Sequence, residues 1–212
     1  GTLSLATFYV TIAAILAFFV RFAYVPSPSM QPTLNPGDVV IVTRSIWPLK
    51  PSIGDVILFD PPSSLNKAIM SSTFTDENGA SPALPTKGQQ FLKRVVAREG
   101  ELVGVKNSNV IVDLTPTASI AESTPKKQYR VDIVGPYSQP EAFSASSWDR
   151  PVEPLGRNQY FVAGDNGFRS VDSRVWGSLP GKNIFGVARW VVWPLSDFGP
   201  CNDKGQISYI EK

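Results

Sequence analysis

Hydrophobic positions change their rhythm at Pro26. Ahead of it, Leu3–Val20 reads LSLATFYVTIAAILAFFV, eighteen residues without a charge, before Arg21 interrupts and Phe22-Ala23-Tyr24-Val25 follows. A helix crossing the hydrocarbon core of a bilayer needs about 20 apolar residues, and aromatic side chains at its end suit the interface. The pattern over residues 1–25 therefore predicts one transmembrane helix, with Arg21 reaching for headgroups or marking the end of the span. A secretory signal would have a shorter apolar region followed by a small-residue cleavage site, and a helix buried in a soluble core would carry a polar face. Neither describes this stretch as well.

Beyond Pro26 the apolar residues come in short β-rich runs. Val39–Thr43, Asp55–Phe59, Phe91–Arg98, Leu102–Val105, Val110–Leu114, Tyr160–Ala163 and Val187–Trp193 have strand composition. Asn35-Pro36-Gly37, Ile53-Gly54, Glu99-Gly100 and Asp165-Asn166-Gly167 punctuate them as turns. No amphipathic pattern of ten residues suggests a helix after residue 25. The expected fold is mainly β: antiparallel sheets folding toward a partly closed barrel, with a β-rich insertion and one N-terminal transmembrane helix. Two stretches interrupt the strand rhythm. Pro61–Gln90 is rich in Ser, Thr, Asn and Pro and reads as a long mobile loop. The proline-rich stretch Thr115–Asn158, with alternation only at Gln128–Val134, reads as an accessory segment. The expected organisation is an anchor at 1–25, a catalytic β-core at 26–114 that carries the 61–90 loop, an insertion at 115–158, and the rest of the core at 159–212.

Composition narrows the chemistry. Hydrophobic residues make up 42% of the 212, which is not the makeup of a disordered tail, and a formal charge of +2 gives no reason to expect a nucleic-acid partner. There is no histidine, which excludes a Ser-His-Asp triad and any metal site built on imidazole. One cysteine, Cys201, excludes an intramolecular disulfide and thiolate clusters, and it reads as an incidental surface thiol. An enzyme built from this chain works with Ser, Thr, Lys, Tyr, Asp or Glu. A serine nucleophile served by a neutral lysine fits that set.

Three clusters are candidates for such chemistry. In Pro26-Ser27-Pro28-Ser29-Met30-Gln31-Pro32-Thr33-Leu34, three prolines stiffen a short non-helical segment around a serine. Alone, a linker between anchor and domain is the preferred reading. In Phe91-Leu92-Lys93-Arg94-Val95-Val96-Ala97, strand alternation puts Lys93, Val95 and Ala97 on one face and Arg94, Val96 and Arg98 on the other. An inward Lys93 would be desolvated and fit to act as a base near pH 7 to 8. Alone, an edge-strand lysine in solvent is the simpler reading. In Gly164-Asp165-Asn166-Gly167-Phe168-Arg169-Ser170-Val171-Asp172-Ser173-Arg174-Val175-Trp176-Gly177, a tight turn carries hydroxyls that could orient an amine and an Asp/Arg pair that could lock the loop.

Together, and in this order with Gly54-Asp55-Val56 between the first two, these clusters resemble the type I signal peptidases, or leader peptidases, from the anchor to about Pro194. The wording is nearest to cyanobacterial and plastid thylakoid members. The resemblance implies a serine endopeptidase in which Ser29 is the nucleophile and Lys93 the general base. It implies that the Ser27 hydroxyl joins the Ser29 N–H as oxyanion hole, that Ser170 orients the lysine, that Asp172 and Arg174 form a structural pair beneath the site, and that Met30 helps to wall the substrate pocket. It implies no cofactor or metal, and preproteins with signal peptides as substrates, cut after small-x-small. The implied setting is a single-pass protein of the bacterial plasma membrane or thylakoid membrane, its catalytic domain in the periplasm or thylakoid lumen, with room for association with a larger membrane complex.

Three rivals are weaker. The Ser-x-x-Lys spacing of β-lactamases, which requires a helix, occurs at Ser64–Lys67 and Ser123–Lys126, both in loop-like sequence with no Lys-Thr-Gly following. Self-cleaving repressors with Ser/Lys β-folds carry a DNA-binding domain that has no counterpart here. A membrane-anchored structural or assembly subunit that inherited the fold would have no need of Ser29 and Lys93.

Overall fold

The N-terminal apolar run divides into two elements. The computed structural model describes residues 4–44, 50–71, 88–106, 109–113, 128–132, 149–201 and 208–211. In it helix α1 spans Leu5–Phe19 and strand β1 spans Val20–Tyr24. The helix has 15 residues, about 22 Å at 1.5 Å per residue, which is shorter than the span expected from the sequence. Among the described residues no helix is long and apolar enough to cross a membrane. The shortening has a local cause. β1 pairs antiparallel with β2, Val39–Thr43, from Val20 opposite Thr43 to Tyr24 opposite Val39, and residues held in a ladder cannot also extend a helix.

The remaining strands are β3 (Val56–Phe59), β4 (Phe91–Arg98), β5 (Leu102–Lys106), β6 (Asn109–Asp113), β7 (Gln128–Asp132), β8 (Arg150–Pro154), β9 (Gln159–Ala163), β10 (Leu179–Pro180), β11 (Ile184–Trp193), β12 (Gly199–Pro200) and β13 (Ser208–Glu211). The main sheet runs β1-β2-β11-β3-β4-β9-β10, with β12 on β11. A second sheet runs β13-β7-β6-β5-β8, so it takes in β5 and β6 from before residue 115 as well as β7 and β8. Among the described residues every pairing is antiparallel. Helix α2 (Ser63–Ser71) occupies part of the expected 61–90 loop, and α3 (Ser173–Trp176) follows Asp172. Ser64–Lys67 therefore lies on a helix after all, with Lys67 exposed. Ser123–Lys126, most of Thr115–Asn158 and residues 72–87 lie outside the described residues.

The main sheet curls so that its middle strands are covered on both faces. Val56 and Leu58 of β3 enter a core with Val25, Met30, Leu34, Val40, Val42, Leu92 and Val191. Ile57 and Phe59 enter another with Leu65, Val95, Val162, Trp176 and Leu179. Each side chain so buried contributes about 1.5–3 kcal/mol relative to exposure. β4 is buried from Leu92 through Ala97, both faces included. This departs from the expectation of one inward and one outward face, and it buries Arg94 along with Lys93. Cys201, expected at the surface, is fully buried in the first core. Its amide donates to the Arg189 carbonyl at 2.9 Å, which draws the chain after β12 inward.

Candidate active site

Ser29 is placed by its neighbours in sequence. Pro28–Met30 form one 3-10 turn, closed by the Gln31 N–H donating to the Pro28 carbonyl at 3.1 Å. A proline at the first helical position gives up no needed donor and fixes φ for the turn. The turn keeps Ser29 6% exposed, with Met30 buried in the core beneath it. Met30, expected as a pocket wall, is thus 1% exposed and packs against Val25 and Leu34.

Lys93 reaches the same point from β4. Its Nζ lies 2.8 Å from Ser29 Oγ and donates to the Leu92 carbonyl at 3.0 Å. The side chain is 5% exposed, and Nζ stands 5.6 Å from the centre of the Phe91 ring. Burial lowers the Lys93 pKa to about 8, against an opposing pull from the Asp172 and Asp165 carboxylates, while Arg174 adds to the lowering. At pH 7 about a tenth of such an amine is neutral, several hundredfold more than for an ordinary lysine. Once neutral, the amine can accept the Ser29 proton along the same 2.8 Å line. The Ser27 hydroxyl also meets Ser29, donating to its Oγ at 3.2 Å.

The loop after β9 holds both groups. The Asn166 N–H donates to the Ser29 carbonyl at 3.1 Å. Gly164 passes so close that a Cβ there would collide with the Ser170 hydroxyl and the Ser29 carbonyl. Asp172 is fully buried and accepts from the Ser170 hydroxyl (2.7 Å), the Gly164 N–H (2.9 Å), and the N–H, Nε and Nη2 of Arg174 (3.2, 2.8 and 2.8 Å). Burial pushes the Asp172 carboxyl up, but Arg174 and these hydrogen bonds outweigh it and hold the pKa below its usual value. Arg174 also donates to the carbonyls of Gly167 and Ser170. Ser170 therefore lies in the site with its proton committed to Asp172. Among the described residues the polar partners of Lys93 Nζ are Ser29 and Leu92.

A second buried ion pair was not legible as such in the motifs. Arg94 donates through Nε and Nη2 to Asp165 at 2.8 and 2.6 Å, and through Nη1 to the Gly54 carbonyl at 2.6 Å. Thr33 Oγ donates to Asp165 and accepts from Arg94 Nη2. This cluster ties the turn before β3, strand β4, the segment after Ser29 and the 164–174 loop into one unit. Arg94 stood beside Lys93 and Asp165 beside Gly164, but nothing in the sequence paired residues so far apart.

The chain belongs to the family described as signal peptidase, peptidase S26, whose pattern matches residues 2–193. It is 32% identical over 194 residues to a probable signal peptidase I-1 of Synechocystis sp., covering 89% of this chain and 81% of that one. It is 29% identical over 187 residues to a signal peptidase I of Leptolyngbya laminosa, covering 87% and 74%. It is also 32% identical over 187 residues to a probable chloroplastic thylakoidal processing peptidase 2 of Arabidopsis thaliana, covering 87% of this chain and 41% of that one.

Proposed function

We propose that this protein is a membrane-bound serine endopeptidase with a Ser29/Lys93 dyad that removes signal peptides from exported preproteins. The observation that carries the reading is the 2.8 Å approach of Lys93 Nζ to Ser29 Oγ, with both side chains buried and the lysine's pKa lowered to about 8. In this reading neutral Lys93 takes the Ser29 proton as Oγ bonds to the scissile carbonyl carbon. The Ser29 N–H, early in its turn and without an acceptor within it, and the Ser27 hydroxyl, turned from Oγ, receive the developing oxyanion. Such donors are each worth about 3–4 kcal/mol in acyl transfer. The C–N bond breaks as Lys93 returns the proton to the leaving amine, and the same base then draws a proton from water to release the acyl group. Ser170, whose proton Asp172 holds, keeps its lone pairs for the Lys93 ammonium to take up as it leaves Ser29, and Asp172–Arg174 fixes the loop.

Membrane attachment is supported from two sides. Every described side chain of α1 from Leu5 to Ala13 is exposed although the helix is apolar, and such a helix is at home in lipid. Where α1 meets the sheet, Phe22 and Trp190 flank Ile41, and Tyr24 and Trp193 flank Val39, in two rows across β1, β2 and β11. These four aromatics are 67%, 45%, 64% and 59% exposed in that order, a face of the kind that sits at the membrane–water boundary. The cyanobacterial and thylakoidal relatives favour a plasma or thylakoid membrane, with the catalytic domain on its trans side. Period-two alternation sends the first and third residues before the cut to one face of an extended substrate, which accounts for a small-x-small requirement.

The test is cleavage of a preprotein ending its signal in Ala-x-Ala by the full chain in detergent micelles. Ser29→Ala and Lys93→Ala should each abolish cutting, with the double variant no worse than either, because the groups act as a unit. Phe in place of either substrate alanine should stop it in the wild type. Substantial cutting by Ser29→Ala would reject Ser29 as the nucleophile, and no cutting by the wild type would leave an assembly role as the better reading.

A further inference from the structure

Most buried polar side chains around the dyad have hydrogen-bond partners; among the described residues Trp176 lacks one at its single indole N–H, and Asn166 lacks one at both of its polar atoms. Asn166 is 1% exposed, and neither its side-chain oxygen nor its side-chain nitrogen finds a partner among the described residues. Asp165 beside it and Asp172, Arg94 and Arg174 around it are bonded several times over. A buried carboxamide that satisfies nothing is costly, and an apolar side chain of the same size would avoid the cost. Its place is also specific. The Asn166 N–H holds the Ser29 carbonyl, so the side chain starts from a backbone fixed against the nucleophile's own peptide. The Gly167–Arg169 turn that follows packs against the Pro28–Met30 turn, beside this amide.

A carboxamide offers one acceptor and two donors in a plane, the complement of a peptide unit's N–H and C=O. We propose that Asn166 is a substrate-positioning residue whose carboxamide pairs with one peptide unit of the substrate flanking the scissile bond. In the free protein the adjoining turn keeps it closed off, and entry of the peptide beside Ser29 gives its polar atoms partners. This rests on the assignment of Ser29 as nucleophile. It adds a group that reads the substrate's main chain, independent of its side chains.

The test uses the full chain in micelles and a set of substrates in which the peptide units around the cut, excluding the scissile one, are replaced one at a time by an ester. An ester removes the N–H donor and weakens the carbonyl acceptor. At one position the wild type should lose about tenfold in kcat/KM, the scale of one hydrogen bond. Asn166→Leu, already slower on the all-amide substrate by about tenfold or more, should lose nothing further at that position. Its melting temperature should stay level or rise, because no hydrogen bond of the free protein is lost. Asn166→Ala should repeat the kinetic pattern if the leucine does not pack. Equal ester penalties in wild type and both variants would overturn the proposal, as would a fall in melting temperature of Asn166→Leu with uniform losses across all substrates. Cleavage by Ser29→Ala would instead overturn the nucleophile assignment, so the two failures are distinguishable.

Discussion

Replacing Asp172 with asparagine separates what the buried pair does for the fold from what it does for the base. Asp172 accepts three hydrogen bonds from Arg174 and one each from Ser170 and Gly164. Its side chain is fully buried and that of Arg174 is 6% exposed. Asparagine keeps the shape and removes the charge, leaving a buried guanidinium with no counter-charge. Breaking such a pair costs about 3–5 kcal/mol, against about 0–1 kcal/mol for a surface pair. At about 2–4 °C per kcal/mol for a chain of this size, Asp172→Asn should melt roughly 6–20 °C lower by circular dichroism in micelles. Adding Arg174→Met, which removes the orphaned charge, should recover most of the loss. The carboxylate also raises the Lys93 pKa, so its removal should move the alkaline-rising limb of the pH–rate profile to lower pH in whatever activity survives. A melting shift under 2 °C, or a limb displaced toward alkaline pH, would refute the account of this pair.

Three further outcomes follow from the site. Gly164→Ala should lower cleavage about a hundredfold, since the new Cβ must push Ser170 or Ser29 aside and a displacement of about 1 Å at a reacting group costs on that order; activity near wild type would show that the loop does not set the nucleophile. The wild-type rate should rise with pH to a plateau about a midpoint near 8. Because the folded chain releases the Lys93 proton earlier than the unfolded one, stability should also rise between about pH 8 and 10.5. Denaturant titrations of Lys93→Met should lack that slope, and an unchanged slope would place it elsewhere.

Strands announced by β-branched runs between turn residues were legible in the sequence. β2 and β4 begin and end where the pattern puts them. β1 was hidden because Val20–Tyr24 continues an apolar run, and only its pairing with β2 decides between helix and strand. α2 was hidden because nine residues of mixed polarity carry too short a period to stand out. The motifs pointed to Ser29 and Lys93, which the fold brings within 2.8 Å of each other, but not to their surroundings. Alternation on β4 assumes a sheet with one wet face, and a sheet that curls over both faces buries Arg94 as deeply as Lys93. The partner of Arg94 is 71 positions away, and no local pattern encodes an ion pair at that separation. Asn166 was visible inside a turn motif, but the lack of a partner for its side chain among the described residues is a property of packing alone.

The order of strands in the main sheet also sets when the protein becomes a protease. Ser29 sits between β1 and β2, and Lys93 is on β4. In the sheet those halves are not direct neighbours, because β11 lies between β2 and β3 and pairs with both. The loop that grips the Ser29 carbonyl follows β9 and precedes β11 in the chain. A ribosome must therefore deliver the chain through β11 before Ser29 and Lys93 can meet across this sheet. Earlier lengths of nascent chain hold both residues without the strand that joins the two halves of the sheet.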